Sequence, residues 1–195
     1  MRPSCRFRYP IPEKTDYVIF CPKCGSPTRI SIFDQVNNHA SLVQRKLPGP
    51  EIEVLFDNIR SAFNVGSMLR TSEAAGISFI HFCGVTPTPD HIKVKKTALG
   101  SEFSSDWAQY WDGLQAVKDI KSRGVEIWGL EISSCSIHIT DAVSLINKKP
   151  ILLILGNENY GIDPKIRDCC DKLVEIPMVG NKQSLNVAIA YEGVE

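Results

Sequence analysis

The chain predicts an α/β fold built on a mainly parallel sheet with helices on both faces, preceded by a small irregular N-terminal segment. Three observations carry this expectation. From Glu53 onward, short runs rich in branched apolar residues alternate with stretches whose apolar positions fall at helical spacing. One run, Ile151-Leu-Leu-Ile-Leu155, is apolar at every position and too short to span a membrane, the pattern of a strand buried on both faces. Residues 1–50 differ in kind, being punctuated by Pro3, Pro10, Pro12, Pro22, Pro27, Pro48 and Pro50.

In order, the N-terminal extension of residues 1–50 contains Cys21-Pro-Lys-Cys24-Gly25. Two thiolates turned inward around such a knuckle suit half of a zinc site, and the same residues suit a plain turn with reduced thiols. Cys5 and His39 are the other soft donors nearby. Ser31 to Arg45 reads as a short helix, and Leu47-Pro-Gly-Pro50 as a linker to a second domain of residues 51–195. There, Glu53–Asp57 is a strand and Asn58–Phe63 a loop. A helix runs from Asn64 through Val65, Met68, Leu69 and Ala75 to Gly76. Arg70 sits off its apolar stripe, which by pattern alone makes it a surface residue.

Ser78–Cys83 is a strand followed by the Gly84–Pro89 loop and a second loop-like segment, Lys96–Glu102. Asp112–Arg123 is an amphipathic helix closed by Gly124, and Val125–Leu130 a strand. After Ile151–Leu155 comes the polar loop Gly156–Gly161, then a strand at Leu173–Ile176 and a turn at Pro177–Lys182. Ser184 is expected to cap a helix opening Leu185-Asn186-Val187. Ligands of parallel sheets bind just past the strand ends, so the two polar loops are the candidate site.

Composition narrows the function less than the pattern does. The 195 residues hold 22 basic and 22 acidic side chains, so net charge gives no sign of a polyanionic partner; local clusters such as Lys93/Lys95/Lys96 would have to supply one. Seven cysteines, including the adjacent Cys169-Cys170, do not form an even disulfide framework, and the N-terminus lacks the apolar core of a signal peptide. A reduced, cytoplasmic protein is expected.

Three segments together resemble a known family. Asn58-x-Arg60-x-x-x-Asn64-x-Gly66-x-x-x-Arg70-Thr71, Leu155-Gly156-Asn157-Glu158-x-x-Gly161 and Ile176-Pro177-Met178-x-Gly180-x-x-x-Ser184-Leu185-Asn186-Val187 look like motifs one to three of the SpoU/TrmH class of SPOUT RNA 2′-O-ribose methyltransferases. The resemblance implies a C-terminal trefoil knot, a pocket for S-adenosyl-L-methionine within it, and a homodimer whose interface helps to build the site. It implies that Leu155, Gly156, Asn157, Ile176, Met178, Ser184, Leu185 and Asn186 bind the cofactor, and that Asn64, Arg70, Glu158, Ser184 and Asn186 are catalytic. Within it, Arg70 is either the base for the 2′-hydroxyl proton or a phosphate and charge binder, and Glu158 is either catalytic or a structural acceptor of backbone amides. The Lys96–Gly100 segment resembles tRNA-modifying members and favours tRNA over ribosomal RNA. The end at Glu195, early in the last motif's helix, is expected of a truncated product or a short variant. The rival expectation is a catalytically silent RNA-binding member or a subunit that needs a partner.

Overall fold

The structure, a computed structural model, describes residues 20–28, 35–37, 49–180 and 184–194. The chain divides into two compact units, residues 1–33 and 34–195. In the first, Phe20 and Pro27 form an antiparallel bridge around the Cys21 turn. The Gly25 amide donates to Cys21 O at 2.8 Å and the Cys21 amide to Ser26 O at 2.8 Å.

Among the described residues the second unit holds one sheet of eight strands, of which seven are parallel. They are β1 (Gln35–Asn37), β2 (Ile52–Asp57), β3 (Phe79–Cys83), β4 (Asp106–Tyr110), β5 (Glu126–Leu130), β6 (Ile137–His138), β7 (Ile151–Leu155) and β8 (Lys172–Glu175), in the spatial order β1-β4-β3-β2-β7-β5-β8-β6. Of these strands only β1 runs antiparallel, Gln35 opposite Gln109 of β4. That strand corrects the helix expected over Ser31–Arg45; the rest of that stretch, His39 included, and Cys5 lie outside the described residues.

Helices α1 (Ala62–Ala75), α2 (Ile92–Ala98), α3 (Gly113–Ser122), α4 (Ile139–Ala142), α5 (Pro164–Arg167) and α6 (Val187–Glu192) connect the strands. The two-residue side-chain period of a strand divides the core in two. Val54, Phe56, Leu153 and Leu155 pack with Met68 of α1 and Tyr191 of α6. Their neighbours Leu55, Leu152 and Ile154 pack with Val117 and Ile120 of α3 and Ile166 of α5. Each such fully buried side chain contributes about 1.5–3 kcal/mol relative to exposure, so β2 and β7, apolar toward both layers, anchor the fold.

Helix boundaries depart from expectation where two capping residues compete. α1 starts two residues before Asn64, because the Ser61 hydroxyl accepts from Asn64 N at 3.2 Å and acts as the N-cap; Gly76 ends it as expected, in the left-handed region at φ 72°. α6 starts at Val187, with Asn186 rather than Ser184 as cap, its Oδ1 accepting from Ala188 N at 2.9 Å. The loop expected over Lys96–Glu102 is the end of α2, a left-handed Leu99 (φ 53°), and a 3-10 turn at Ser101–Phe103. In the expected Pro177–Lys182 turn, Asn181 and Lys182 lie outside the described residues.

Candidate active site

At the C-terminal ends of β5, β7 and β8 a cleft of about 340 Å³ opens, within the range of small-molecule sites. Seven of the eight residues expected to bind cofactor line it: Leu155, Gly156, Asn157, Ile176, Met178, Ser184 and Leu185. Asn186 stands outside the lining, as the cap of α6. Glu131, Ile132 and Glu175 also line the cleft and carry no motif signal; their one clue in the sequence is position, at the ends of parallel strands.

The Gly156–Gly161 loop is closed on itself. Asn157 N donates to Gly161 O and Gly161 N to Asn157 O, both at 2.9 Å. The Asn157 carboxamide oxygen accepts from Asn159 N (2.9 Å) and Tyr160 N (3.2 Å), while its Nδ2 donates to Asn58 O at 2.7 Å. Asn58 presents that carbonyl from a left-handed conformation (φ 55°) that Asn tolerates. A Cβ on Gly156 would lie 2.2 Å from both Gly161 C and Ile162 N, so no larger residue fits without moving backbone. The loop's far end is tied to two strand ends, Ile162 N donating to Glu131 Oε2 (2.7 Å) and Asp163 N to Asp57 Oδ2 (3.1 Å). Burial pushes the Asp57 carboxyl up; the Asp163 amide opposes this and the Asp163 carboxylate adds to it, leaving Asp57 above its ordinary value.

Polar residues of the three motifs join in one chain of hydrogen bonds. Glu158 Oε2 accepts from Arg60 N at 3.0 Å, and its Oε1 accepts from Ser61 N at 3.0 Å and Asn64 Nδ2 at 3.1 Å. Asn64 Oδ1 in turn accepts from Asn186 Nδ2 at 3.2 Å. Partial burial raises the Glu158 carboxyl, but the Arg60, Ser61 and Asn64 donors, with its own amide, outweigh it and hold the group below its ordinary value. Glu158 is therefore an ionised acceptor at the start of α1, where the helix dipole also favours negative charge. Asn64 is buried between the two partners. Arg70 is exposed on α1 and makes no hydrogen bond or ion pair with any described residue. The structure thus brings Asn64, Glu158 and Asn186 together beside the cleft, puts Ser184 in its wall, and leaves Arg70 on the surface.

The knuckle is less complete. Cys21 is buried and Cys24 half-buried, but among the described residues no group of three or more His, Cys, Asp or Glu side chains is arranged to hold a metal ion. The pair alone supplies two of the four ligands of a structural zinc.

A mainly parallel α/β sheet with its cleft past the strand ends, lined by a glycine loop and flanked by a carboxylate–amide chain, has its polar loops where ligands of such sheets bind. The particular family follows from the match: the SpoU rRNA Methylase family model covers residues 51–192, and the chain belongs to that family. This agrees with the resemblance carried by the three motifs. The chain is 28% identical over 146 residues to the tRNA (guanosine(18)-2′-O)-methyltransferase of Aquifex aeolicus, covering 72% of this chain and 64% of that protein. It is 27% identical over 154 residues to the 23S rRNA (guanosine-2′-O-)-methyltransferase RlmB of Bordetella pertussis, covering 76% and 61%. Among solved structures, the AdoMet-bound rRNA methyltransferase from Sinorhizobium meliloti superposes with a TM-score of 0.67 at 28% identity, over 74% of this chain and 54% of that one. The chain spans about three fifths of the length of these curated relatives. Among the described residues no helix is long and apolar enough to cross a membrane.

Proposed function

We propose that this chain transfers a methyl group from S-adenosyl-L-methionine to a ribose 2′-hydroxyl of RNA. The observation that carries this reading is the Asn186–Asn64–Glu158 chain, which ties one residue from each motif together beside the cleft. S-adenosylmethionine, when bound, supplies an electrophilic sulfonium methyl, and the chemistry of that step belongs to it. The protein's part is binding and alignment. Leu155, Ile176, Met178 and Leu185 offer apolar surface for the cofactor, and Gly156, Asn157 and Ser184 offer polar and backbone groups. The fit rests on the cleft's size, mixed lining and place at the strand ends. Asn186 acts through the start of α6 and through Asn64. Glu158, saturated by N–H donors, orients Asn64 and the start of α1 rather than taking a proton. The planar guanidinium fork matches phosphate and anionic oxygen, so Arg70 binds phosphate or stabilises charge on the 2′-oxygen rather than acting as the base.

The chain works as a homodimer, supported by the exposed apolar Val179, Leu185 and Ile189 around α6. The segment from β7 to α6 forms a trefoil knot, supported by β8 lying between β5 and β6 although it follows β7 in sequence. tRNA is put ahead of ribosomal RNA on the Lys96–Gly100 resemblance, and the site of action is the cytoplasm, on the cysteine usage. Zinc at Cys21 and Cys24 would need donors outside the described residues; metal analysis of purified protein should then find about one zinc per chain, released by a thiol reagent, and metal-free folded protein would remove the assignment.

Arg70, placed without a partner among the described residues, favours one rival: a subunit that binds RNA but is silent until a partner completes its site. Calorimetric titration with S-adenosylhomocysteine, followed by methyl transfer to purified tRNA and ribosomal RNA, separates the two. Cofactor binding with transfer supports the proposal; a folded sample that binds neither cofactor nor methyl acceptor refutes it.

A further inference from the structure

Exposed cations and exposed apolar side chains coincide on α2. Ile92, Lys95, Lys96 and Leu99 fall at i, i+3, i+4 and i+7 on its outer stripe, with Lys93 beside Lys96, while Val94 and Ala98 face the core. Ile92 is 70% exposed, Leu99 72%, Phe103 57%, and Phe63 at the start of α1 69%. Leu99 is also held in the left-handed region, φ 53°, a conformation that costs a residue with a Cβ and that clusters at functional sites.

None of the Lys93, Lys95 and Lys96 ammonium groups forms an ion pair with a described carboxylate; Lys95 instead lies 5.8 Å from the centre of the Phe103 ring. Two carboxylates from the neighbouring elements are engaged elsewhere, Glu73 of α1 by the Ser101 hydroxyl and Glu102 by Gly100 N at 2.9 Å. By contrast, Lys121 of α3, Arg123 at its end, Arg167 of α5 and Lys172 of β8 pair with Asp171, Glu53, Glu131 and Glu126 in turn. The patch is fixed next to the candidate site. A Cβ on Gly66 of α1 would stand 2.8 Å from Val94 O and closer still to the Thr97 side chain, so α2 lies directly on the helix whose start Glu158 holds.

We propose that this face, from Phe63 across Lys93, Lys95 and Lys96 to Leu99 and Phe103, is the docking surface for an unpaired loop of the substrate RNA. The lysines take phosphates, and Leu99 and Phe103 take unstacked bases. The inference rests on the RNA reading given above and deepens it. The apolar half of the patch selects between RNA forms: a duplex keeps its base faces stacked inside the helix, while a loop offers bases that stack on an aromatic ring.

The test measures binding of a stem-loop RNA and of a blunt duplex with the same stem, across salt, for the full chain. The variants are Lys93→Gln/Lys95→Gln/Lys96→Gln, Leu99→Gly and Phe103→Ala. S-adenosylhomocysteine affinity and oligomeric state are followed in parallel. Glycine suits the left-handed position, so Leu99→Gly removes the side chain without straining the backbone. The triple variant should lose about tenfold or more in stem-loop affinity, and its log–log salt slope should shrink by about 2, at roughly 0.7 per phosphate contact. Leu99→Gly and Phe103→Ala should weaken the stem-loop and leave the duplex unchanged, with cofactor affinity as in wild type throughout. Wild-type stem-loop affinity and slope in the triple variant would overturn this surface while leaving the methyl-transfer reading standing. Equal loss on loop and duplex would overturn the choice of unpaired RNA, and a change in oligomeric state without a change in RNA binding would overturn the partner. Wild-type protein that binds S-adenosylhomocysteine but no RNA at low salt would overturn both readings.

Discussion

Replacing Glu158 perturbs the polar chain at its most connected point. Its carboxylate takes three N–H donors, Arg60 N, Ser61 N and Asn64 Nδ2, all within 3.1 Å. In Glu158→Gln one oxygen can keep Ser61 and Asn64, but an amide NH₂ then faces Arg60 N, setting donor against donor. A hydrogen bond to a charged group contributes ~1.5–3 kcal/mol when buried. Glu158 is at the surface, where water replaces part of each contact, so about 1 kcal/mol is expected for Gln and about 1–2 kcal/mol for Ala, read by urea unfolding. Because the folded carboxyl lies below its ordinary value, its stabilisation is complete above the unfolded carboxyl range, about pH 4.3, and is lost as pH falls through the folded value. The stability gap between wild type and Glu158→Gln should therefore be flat from about pH 6 to 8 and close in acid. Freed from Glu158, Asn64 is misplaced, and single-turnover methylation should fall by ~10² in Glu158→Ala. An Ala variant with wild-type stability and wild-type rate would show that the chain neither holds α1 nor positions Asn64.

Gly156→Ala puts a methyl into the backbone of Gly161 and Ile162, and should lower stability by about 1–3 kcal/mol and weaken S-adenosylhomocysteine binding; thermal unfolding and calorimetry check both. Tyr191→Phe removes the 2.8 Å bond between the tyrosine hydroxyl and Ser72 Oγ that joins α6 to α1. Ser72 keeps its 2.9 Å bond to Met68 O, so the loss should be about 1 kcal/mol, against about 3–5 for Tyr191→Ala, which empties the space beside Phe56. Arg70→Ala should cost less than ~0.5 kcal/mol of stability and reduce turnover by ~10². Arg70→Lys should give little rescue if Arg70 grips phosphate with its planar fork, and partial rescue with a lowered pH optimum if it is a base; rates across pH distinguish them.

The strands that carry the site were legible because they are buried on both faces: Val54-Leu55-Phe56 and Ile151–Leu155 leave no other reading. β4 was missed for the opposite reason. Asp106-Trp-Ala-Gln-Tyr110 mixes polar and apolar residues, and Gln109 is buried although nothing in its type announces it. α2 escaped notice because only Val94 and Ala98 of Ile92–Ala98 are buried, and its ends carry His91 and a left-handed Leu99 instead of common caps. The starts of α1 and α6 slipped by two residues because Ser61 and Asn64, and Ser184 and Asn186, are interchangeable caps by residue type; only the hydrogen bonds decide. The motifs located the cleft, yet Glu131 and Glu175 in its wall belong to none of them. Their roles come from long-range partners, Ile162 and Arg167 for Glu131, and Ser136 and His138 for Glu175, which no local pattern encodes.

Methyl transfer to a ribose hydroxyl can be read directly from labelled RNA. RNA from cells lacking this gene is incubated with the purified chain and S-adenosylmethionine carrying a labelled methyl, digested to nucleosides, and resolved by mass spectrometry. Label is expected in a single 2′-O-methylated nucleoside, and absent with Asn64→Ala. Label on a base, or none from a preparation that binds S-adenosylhomocysteine, would contradict ribose methyl transfer.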